Sequence, residues 1–325
     1  MRKQTDSSSQ SLKLMEHLTD KRTIRKRRRR DIWQQRELYV FLLPAFLYFL
    51  IFHYFPLYGL LIAFKDFVPS LGVWGSEWVG FQWFTDFFNS YYFWDLIKNT
   101  IQISLYSLFV GFPMPIILAL AINEIKDNWF KRSFQTITYA PHFISLVVMV
   151  GMIIAFLSPQ SGMVNHFLGL FGIEPIAFMS EPGWFKTIFV LSGVWQNMGW
   201  GAIIYLAALA GVDPQLHEAA KVDGASRIQR IWHINIPTLM PTIIILFILD
   251  MGGLLSVGFQ KILLMQNQLN METSDVISTF VYRAGILDAN YSYATAVGFF
   301  DAVINAAILV GVNYLAKKRS GTSLW

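Results

Sequence analysis

The feature that most constrains this 325-residue chain is a series of apolar stretches, each long enough to cross a bilayer. A membrane-spanning helix needs about 20 mostly apolar residues. Only 14% of the residues are charged, against about 25% in a soluble domain. Six stretches reach the length: Leu38–Phe64, Ile97–Ile122, Ile137–Phe156, Thr187–Ala210, Pro241–Leu264 and Ala294–Leu315. The sequence therefore predicts an all-α membrane protein with six transmembrane helices.

Proline and glycine interrupt several of these stretches. Membrane helices tolerate such breaks where neighbouring helices or water satisfy the freed backbone groups. The breaks predict either bent helices around a cavity or simple packing kinks, and the pattern leaves both open. The residues concerned are Pro44, Pro56, Pro113, Pro115, Pro141, Gly252 and Gly253.

Lysine and arginine predict the orientation of the chain, because cytoplasmic loops carry an excess of them. Residues 1–36 hold twelve of the 26 basic residues, an arm that would lie against anionic membrane lipid rather than nucleic acid. The loops 123–136 and 211–236 and the tail 316–325 are also basic. The alternate loops carry fewer cations per residue, namely Lys65, Lys98, Lys186, Lys261 and Arg283. Both termini and loop 211–236 are therefore predicted to face the cytoplasm.

Catalytic motifs are missing from the sequence. Nothing matches Gly-x-x-x-x-Gly-Lys-Ser/Thr, the loop that cradles nucleotide phosphates. The chain has no cysteine, and its six histidines show no metal-ligand spacing on one helix. We predict no catalytic residue, no metal and no enzymatic activity, so any energy would come from another chain.

Polar residues inside the apolar stretches are candidates for function, because burying them unpaired is costly. In the fourth stretch, helical spacing places Gly193, Gln196, Asn197 and Trp200 on one face. Amides that bond hydroxyls and a ring that stacks suit a carbohydrate. Hydrogen bonds between helices, with glycine allowing close packing, explain the same pattern. The residues alone leave both explanations open.

The fifth and sixth stretches also carry polar groups. The fifth contributes Asp250, Ser256 and Gln260. For Asp250 we predict a structural partner, such as the backbone of the third helix or a companion subunit, rather than a substrate. Asp301 and Asn305 lie one turn apart on the sixth. They would pair across the bundle or bias a gate.

The loop between the fourth and fifth stretches is polar and helix-prone. Gly224 interrupts an otherwise continuous amphipathic helix, which predicts two short helices meeting at a turn. Asp213 would cap the first helix, with Pro214 at its first position. Asp223 or Ser226 would cap the second. A simple cytoplasmic loop has no need for this pattern.

This loop resembles the EAA loop of ABC importer permeases, the element that docks on the ATP-hydrolysing subunit. The matching positions are Glu218, Ala219, Ala220, Gly224, Ile234 and Pro237, with Ile236 where leucine is usual. Over residues 95–315 the chain resembles permeases of binding-protein-dependent ABC sugar importers such as the maltose importer. Residues 195–209, 274–285 and 323–325 resemble the branch that imports oligo- or polysaccharides, including uronate-containing glycans such as alginate or pectin fragments.

The resemblance implies an ABC importer type-1 permease fold and specific residue roles. Residues 1–36 would form the basic cytoplasmic arm, 37–94 the first transmembrane helix and an outward aromatic loop, 95–315 the transmembrane domain and 316–325 the cytoplasmic tail. Coupling to the ATPase would involve Glu218, Ala219, Ala220, Asp223 and Gly224, with Glu218 ion-paired to an arginine of the ATPase. The substrate pathway would be lined by Gly193, Gln196, Asn197, Trp200, Ser256 and Gln260.

The resemblance also implies partners. A second permease, usually a different chain, would complete the pathway in the bacterial cytoplasmic membrane. Two ATPase subunits would bind ATP and Mg, so this chain needs no cofactor, and an extracytoplasmic binding protein would deliver the oligosaccharide. Two alternatives differ in class. One is a secondary sugar transporter coupled to ions through Asp250 and Asp301; the other is a non-transporting membrane sensor or assembly subunit.

Overall fold

The computed structural model describes residues 35–325, so nearly all of the predicted basic arm lies outside it. The described residues separate into two units, 35–61 and 62–325. In chain order the elements are α1 (Arg36–Phe64), β1 (Lys65–Asp66), α2 (Gly72–Gly75), β2 (Glu77–Trp78), α3 (Gln82–Phe88), α4 (Phe93–Glu124), α5 (Trp129–Phe143), α6 (Leu146–Phe156), α7 (Met163–Gly169), α8 (Pro182–Leu209), α9 (Pro214–Val222), α10 (Arg227–Gly252), α11 (Phe259–Met265), α12 (Met271–Ser274), α13 (Ile277–Leu287) and α14 (Tyr291–Ser320). The two short strands pair antiparallel.

The helices of membrane length confirm the predicted helical membrane fold. By length and composition, α1, α4, α10 and α14 can cross a membrane, and α5 with α6 makes a fifth if taken as one bent span. α8 has 28 residues, which is about 42 Å of helix. Polar and small residues interrupt α8, and it does not join that apolar set. The count of six transmembrane helices therefore stays a prediction.

The interruption predicted at Pro141 is present, and it divides the stretch Ile137–Phe156 between two helices, α5 and α6. The chain bends by 100° between α5 and α6. Pro141 lies in the 3₁₀ turn that ends α5, and Ile144 follows in an extended conformation. Ser145 then begins α6 by accepting a hydrogen bond from the Val148 N–H. Proline lacks an N–H group, and serine is a favourable N-cap, so the local sequence favours a new helix here.

The interruption predicted at Gly252 and Gly253 is also present, and it divides the stretch Pro241–Leu264 between α10 and α11. α10 ends at Gly252, and α11 begins at Phe259 after a non-helical segment, residues 253–258. Gly258 closes this segment with φ +41°, which glycine adopts without strain. The Asn305 amide oxygen accepts a 3.0 Å hydrogen bond from the Leu255 N–H. A side chain from α14 thus satisfies part of the freed backbone.

α8 is the element around which much of the second unit packs. It contacts α4, α5, α10 and α12. One apolar cluster joins Phe185 and Phe189 of α8 to α4, α6 and α11. Another joins Ala202 and Tyr205 of α8 to α4 and to Leu239 of α10. A third, separate cluster holds α3, α13 and α14 together around Phe87.

The contact between α5 and α8 depends on Gly199. A Cβ atom at Gly199 would lie 1.9 Å from the carbonyl oxygen of Thr138 and 2.5 Å from its carbonyl carbon. No side chain fits in that space, and Gly199 is itself buried. The two backbones therefore touch directly, which is the arrangement that small residues allow between membrane helices.

Candidate functional site: a cavity and an exposed helix pair

A cavity of about 720 Å³ lies within the second unit. Its walls come from α4, α8, α10, α11 and the segment 253–258. α4 contributes a π-helical turn, Ser107–Gly111, and such turns often occur at functional sites. Serine hydroxyls and amides interrupt the mostly apolar wall. Its size lies within the usual range of about 300–1,000 Å³ for small-molecule sites.

Five of the six predicted pathway residues line this cavity. They are Gly193, Gln196, Asn197, Ser256 and Gln260. The sixth, Trp200, does not line it. Its indole stacks on the imidazole of His142, with ring centroids 4.6 Å apart and an interplanar angle of 4°. The structure thus brings together residues from α8, α11 and the break that precedes α11.

The amides of α8 also hold the bend between α5 and α6. Gln196 Nε2 donates a 3.0 Å hydrogen bond to the carbonyl oxygen of Ile144. Asn197 Oδ1 lies 3.1 Å from His142 Nδ1, and Asn197 Nδ2 donates to the Gly193 carbonyl at 3.1 Å. The helix-to-helix hydrogen bonds that the sequence left open are therefore present. Gln196 and Asn197 combine this structural task with a position on the cavity wall.

Replacing Gln196 with leucine should destabilise the protein, because the Ile144 carbonyl would lose its partner at the bend. We expect a loss of about 1–3 kcal/mol, measured as a lower unfolding temperature of the purified protein in detergent. Gln260→Leu is the matched control, because the Gln260 side chain lines the same cavity and forms no hydrogen bond to any described residue. Equal unfolding temperatures for both variants would show that the bend does not depend on Gln196.

Asp250 lies on the cavity wall rather than against a structural partner. Within residues 35–325 its side chain forms no hydrogen bond or ion pair, and its carboxylate acts electrostatically on Tyr205. The predicted contact with the third helix is thus not formed within this chain. Asp301 behaves differently, because its Oδ2 accepts a 3.3 Å hydrogen bond from Asn305 Nδ2. Asn305 in turn reaches the break after α10, the cross-bundle pairing that the sequence suggested.

Lys261 is the cavity residue that sequence reasoning missed, because it was counted among the cations of an outward loop. The structure buries it in the cavity wall, with 7% of its surface exposed. Lys261 Nζ donates a 2.6 Å hydrogen bond to the Phe189 carbonyl oxygen and lies 4.6 Å from the centre of the Phe189 ring. A lysine inside an apolar stretch was the available signal.

The predicted turn of loop 211–236 and its first short helix, α9, are present, but the second helix is not short, because it is the beginning of α10 and continues to Gly252. Asp213 Oδ1 accepts a 2.9 Å hydrogen bond from the Gln215 N–H at the start of α9. Gly224, with φ +78°, makes the turn. Ser226, rather than Asp223, caps α10, since Ser226 Oγ accepts from the Gln229 N–H and Gln229 Oε1 accepts from the Ser226 N–H. α10 then passes through a π-helical turn, Ile231–Asn235, and contains Pro241.

The surface of this helix pair is open. Glu218, Ala219, Asp223 and Gly224 are exposed, and Ala220 is half-buried. Large apolar side chains stand out beside them, most of all Val222, which is 88% exposed. The described residues provide no ion-pair partner for Glu218. An exposed surface that mixes apolar side chains with an unpaired acid is typical of a protein interface.

A helical membrane fold, a cavity between its helices and an exposed helix pair are the features of a membrane permease. The chain belongs to the family of binding-protein-dependent transport system inner membrane components, whose model matches residues 111–321. It is therefore a multi-pass protein of the bacterial inner membrane and the permease component of an ABC importer. Membership of this family gives no support to the ion-coupled alternative.

Relatives cover nearly the whole chain. Protein LplB of Bacillus subtilis is 45% identical over 89% of this chain and 90% of its own length. The polygalacturonan/rhamnogalacturonan transport system permease protein YteP of the same species is 42% identical over 92% and 93%. A solved bacterial ABC transporter involved in the import of the acidic polysaccharide alginate matches with a TM-score of 0.84 and 42% identity, covering 90% of this chain and 99% of the other.

Proposed function

We propose that this chain is one of two permease subunits in an ATP-driven importer of oligo- or polysaccharides, uronate-containing glycans among them. The observation that carries the proposal is the match over 90% of the chain to an importer of an acidic polysaccharide. The polygalacturonan and rhamnogalacturonan permease supports the same substrate class, since pectic glycans are also rich in uronates.

The cavity provides groups that suit a sugar. Ser104, Ser107 and Gln260 present hydroxyl and amide groups that exchange hydrogen bonds with sugar hydroxyls. Aromatic side chains such as Phe259 line the same space, and ring faces pack well on the apolar faces of pyranoses. Six helices of this chain and those of a second, different permease would together enclose the pathway, so the cavity described here is half of it.

Energy enters through the helix pair of loop 211–236. Two ATPase subunits bind ATP and Mg, and their closure moves α9 and the foot of α10, which face the cytoplasm. Glu218 forms a charge-assisted pair with an arginine of the ATPase, and Ala219 and Ala220 allow α9 to enter its cleft. The motion opens the bundle outward, where an extracytoplasmic binding protein delivers the oligosaccharide. One of the solved relatives is a complex of this kind, with an alginate pentasaccharide-bound periplasmic protein.

The proposal is tested by reconstituting the complete importer in liposomes and leaving out one component at a time. Uptake of a labelled galacturonic acid oligosaccharide should require ATP, both permeases, the ATPases and the binding protein. Omission of any one should reduce uptake to the leak of empty liposomes. Uptake by this chain without the ATPases, driven by a proton or sodium gradient, would overturn the ATP-driven mechanism.

A further inference from the structure

Lys261 is the only cation on the wall of the cavity among the described residues. Its ammonium group has three protons to donate, and only one finds an acceptor in the described part of the chain, the Phe189 carbonyl. The remaining contact is the face of the Phe189 ring. Because burying a charge with one neutral acceptor costs several kcal/mol, the site is complete only when an anion joins it.

The backbone around Lys261 leaves space for this ammonium group. A Cβ atom at Gly193 would lie 3.2 Å from Lys261 Nζ, so the glycine leaves the charge unobstructed. Gly258 takes the left-handed conformation at the start of α11, and a Cβ atom there would lie 3.4 Å from the ring of Phe189 in α8. Two glycines at the positions that place one charged side chain indicate a constructed site rather than an accidental burial.

The one acid on the cavity wall does not neutralise Lys261. Asp250 acts on Tyr205, whereas Lys261 is hydrogen-bonded to Phe189. Tyr205 and Phe189 are about 24 Å apart along the axis of α8. The single ion pair among the described residues joins Arg283 and Asp275 instead. The two charges of the cavity thus stand at different levels of the pathway.

We propose that Lys261 binds the carboxylate of a uronate residue in transit, so that it selects acidic over neutral oligosaccharides. This inference rests on the proposed function and adds the residue that reads the substrate's charge. A carboxylate accepts the free ammonium protons as charge-assisted hydrogen bonds. A neutral sugar lacks that acceptor and leaves the lysine buried without an anion. Ser256, within the break, and Gln260, just after it, line the same wall and would bond neighbouring hydroxyls.

The test compares two substrates in the complete reconstituted importer. One is a galacturonic acid trimer, and the other is the same trimer with its carboxyl groups reduced to give galactose. The measured quantity is the ratio of initial uptake rates, acid over neutral, for wild type and variants with the same binding protein. Any preference of the binding protein for one trimer then affects the wild-type and variant ratios equally, and it cancels when the ratios are compared.

Lys261→Gln should lower this ratio by about tenfold, the size of one charge-assisted hydrogen bond. Lys261→Arg should retain most of it. Gly193→Ala keeps the lysine but crowds its ammonium group, so this variant should also lower the ratio of acid to neutral uptake. It tests the proposal independently if Lys261→Gln fails to assemble. Lys186→Gln is the control, because Lys186 is a half-buried lysine of α8 that bonds Asn99 and Gln102 away from the cavity.

The outcomes distinguish failure of the role proposed for Lys261 from failure of the proposed importer function. An unchanged ratio in Lys261→Gln, or an equal loss of uptake for both trimers, would overturn the role of Lys261 while the importer assignment stands. Import of neither trimer by the wild-type complex would defeat the proposed substrate class and the inference together.

Discussion

Replacing Glu218 with lysine is expected to abolish transport-coupled ATP hydrolysis while the importer still assembles in the membrane. Glu218 is exposed on α9 and makes no ion pair with the described residues, so the fold does not depend on it. In the proposed complex, however, it faces an arginine of the ATPase. A lysine at this position would place two cations against each other in a closed interface. Removing one partner of a buried ion pair already costs about 3–5 kcal/mol, and repulsion adds to that cost. We expect at least a hundredfold loss of substrate-stimulated hydrolysis.

The measurement is the ATPase rate of the reconstituted complex with and without the loaded binding protein. Gln215→Lys is the matched control, because it adds the same charge to an exposed position of α9 outside the matching motif. Its hydrolysis should remain close to wild type. Normal coupling in Glu218→Lys would show that α9 does not dock through this residue.

Replacing Gly199 with alanine should prevent α5 from docking on α8. The added methyl group would lie 1.9 Å from a backbone oxygen, and backbone cannot move aside as a flexible side chain does. Overpacking in a closed interior costs about 1–3 kcal/mol when neighbours adjust. Because the group that obstructs the methyl is the backbone of a helix, we expect the free energy of unfolding to fall by about 3 kcal/mol or more. Folded protein should then not be recovered from membranes.

Gly183→Ala is the control for this second experiment. Gly183 lies in the first turn of the same helix, and a Cβ atom there would meet nothing within 4 Å. This variant should give wild-type amounts of folded protein with an unchanged unfolding temperature. A Gly199→Ala protein as stable as Gly183→Ala would mean that α5 and α8 are further apart than described.

Features controlled by local sequence were predictable. The caps at Asp213 and Ser226 and the turn at Gly224 depend on residues within one helical turn of each other, so reading the loop alone was sufficient. The apolar stretches likewise predicted helices near the observed positions. Orientation and transmembrane count depend on a bilayer, and they stay predictions.

Features controlled by distant partners were not predictable. Pro141 was recognised as an interruption, but the sharp bend is stabilised by Gln196, 52 residues away from Ile144. The break after Gly252 depends on Asn305, 50 residues from Leu255. Lys261 lies in α11, which begins just after that break. Its burial in the cavity wall was therefore not predictable either, because it depends on the same distant contact. No pattern within one stretch reports which helix will supply its partner.

α10 physically connects the two places where function is proposed, the turn at Gly224 and the unwound segment beside the cavity. Its 26 residues make a rod of about 39 Å. The π-helical turn and Pro241 weaken its lower half, whereas residues 242–252 contain no proline. Flexing should concentrate below, and the upper half should swing as a stiff arm. The upper half is about 16 Å long, so a swing of about 10° moves its tip by about 3 Å, enough to make or break a hydrogen bond to a passing sugar.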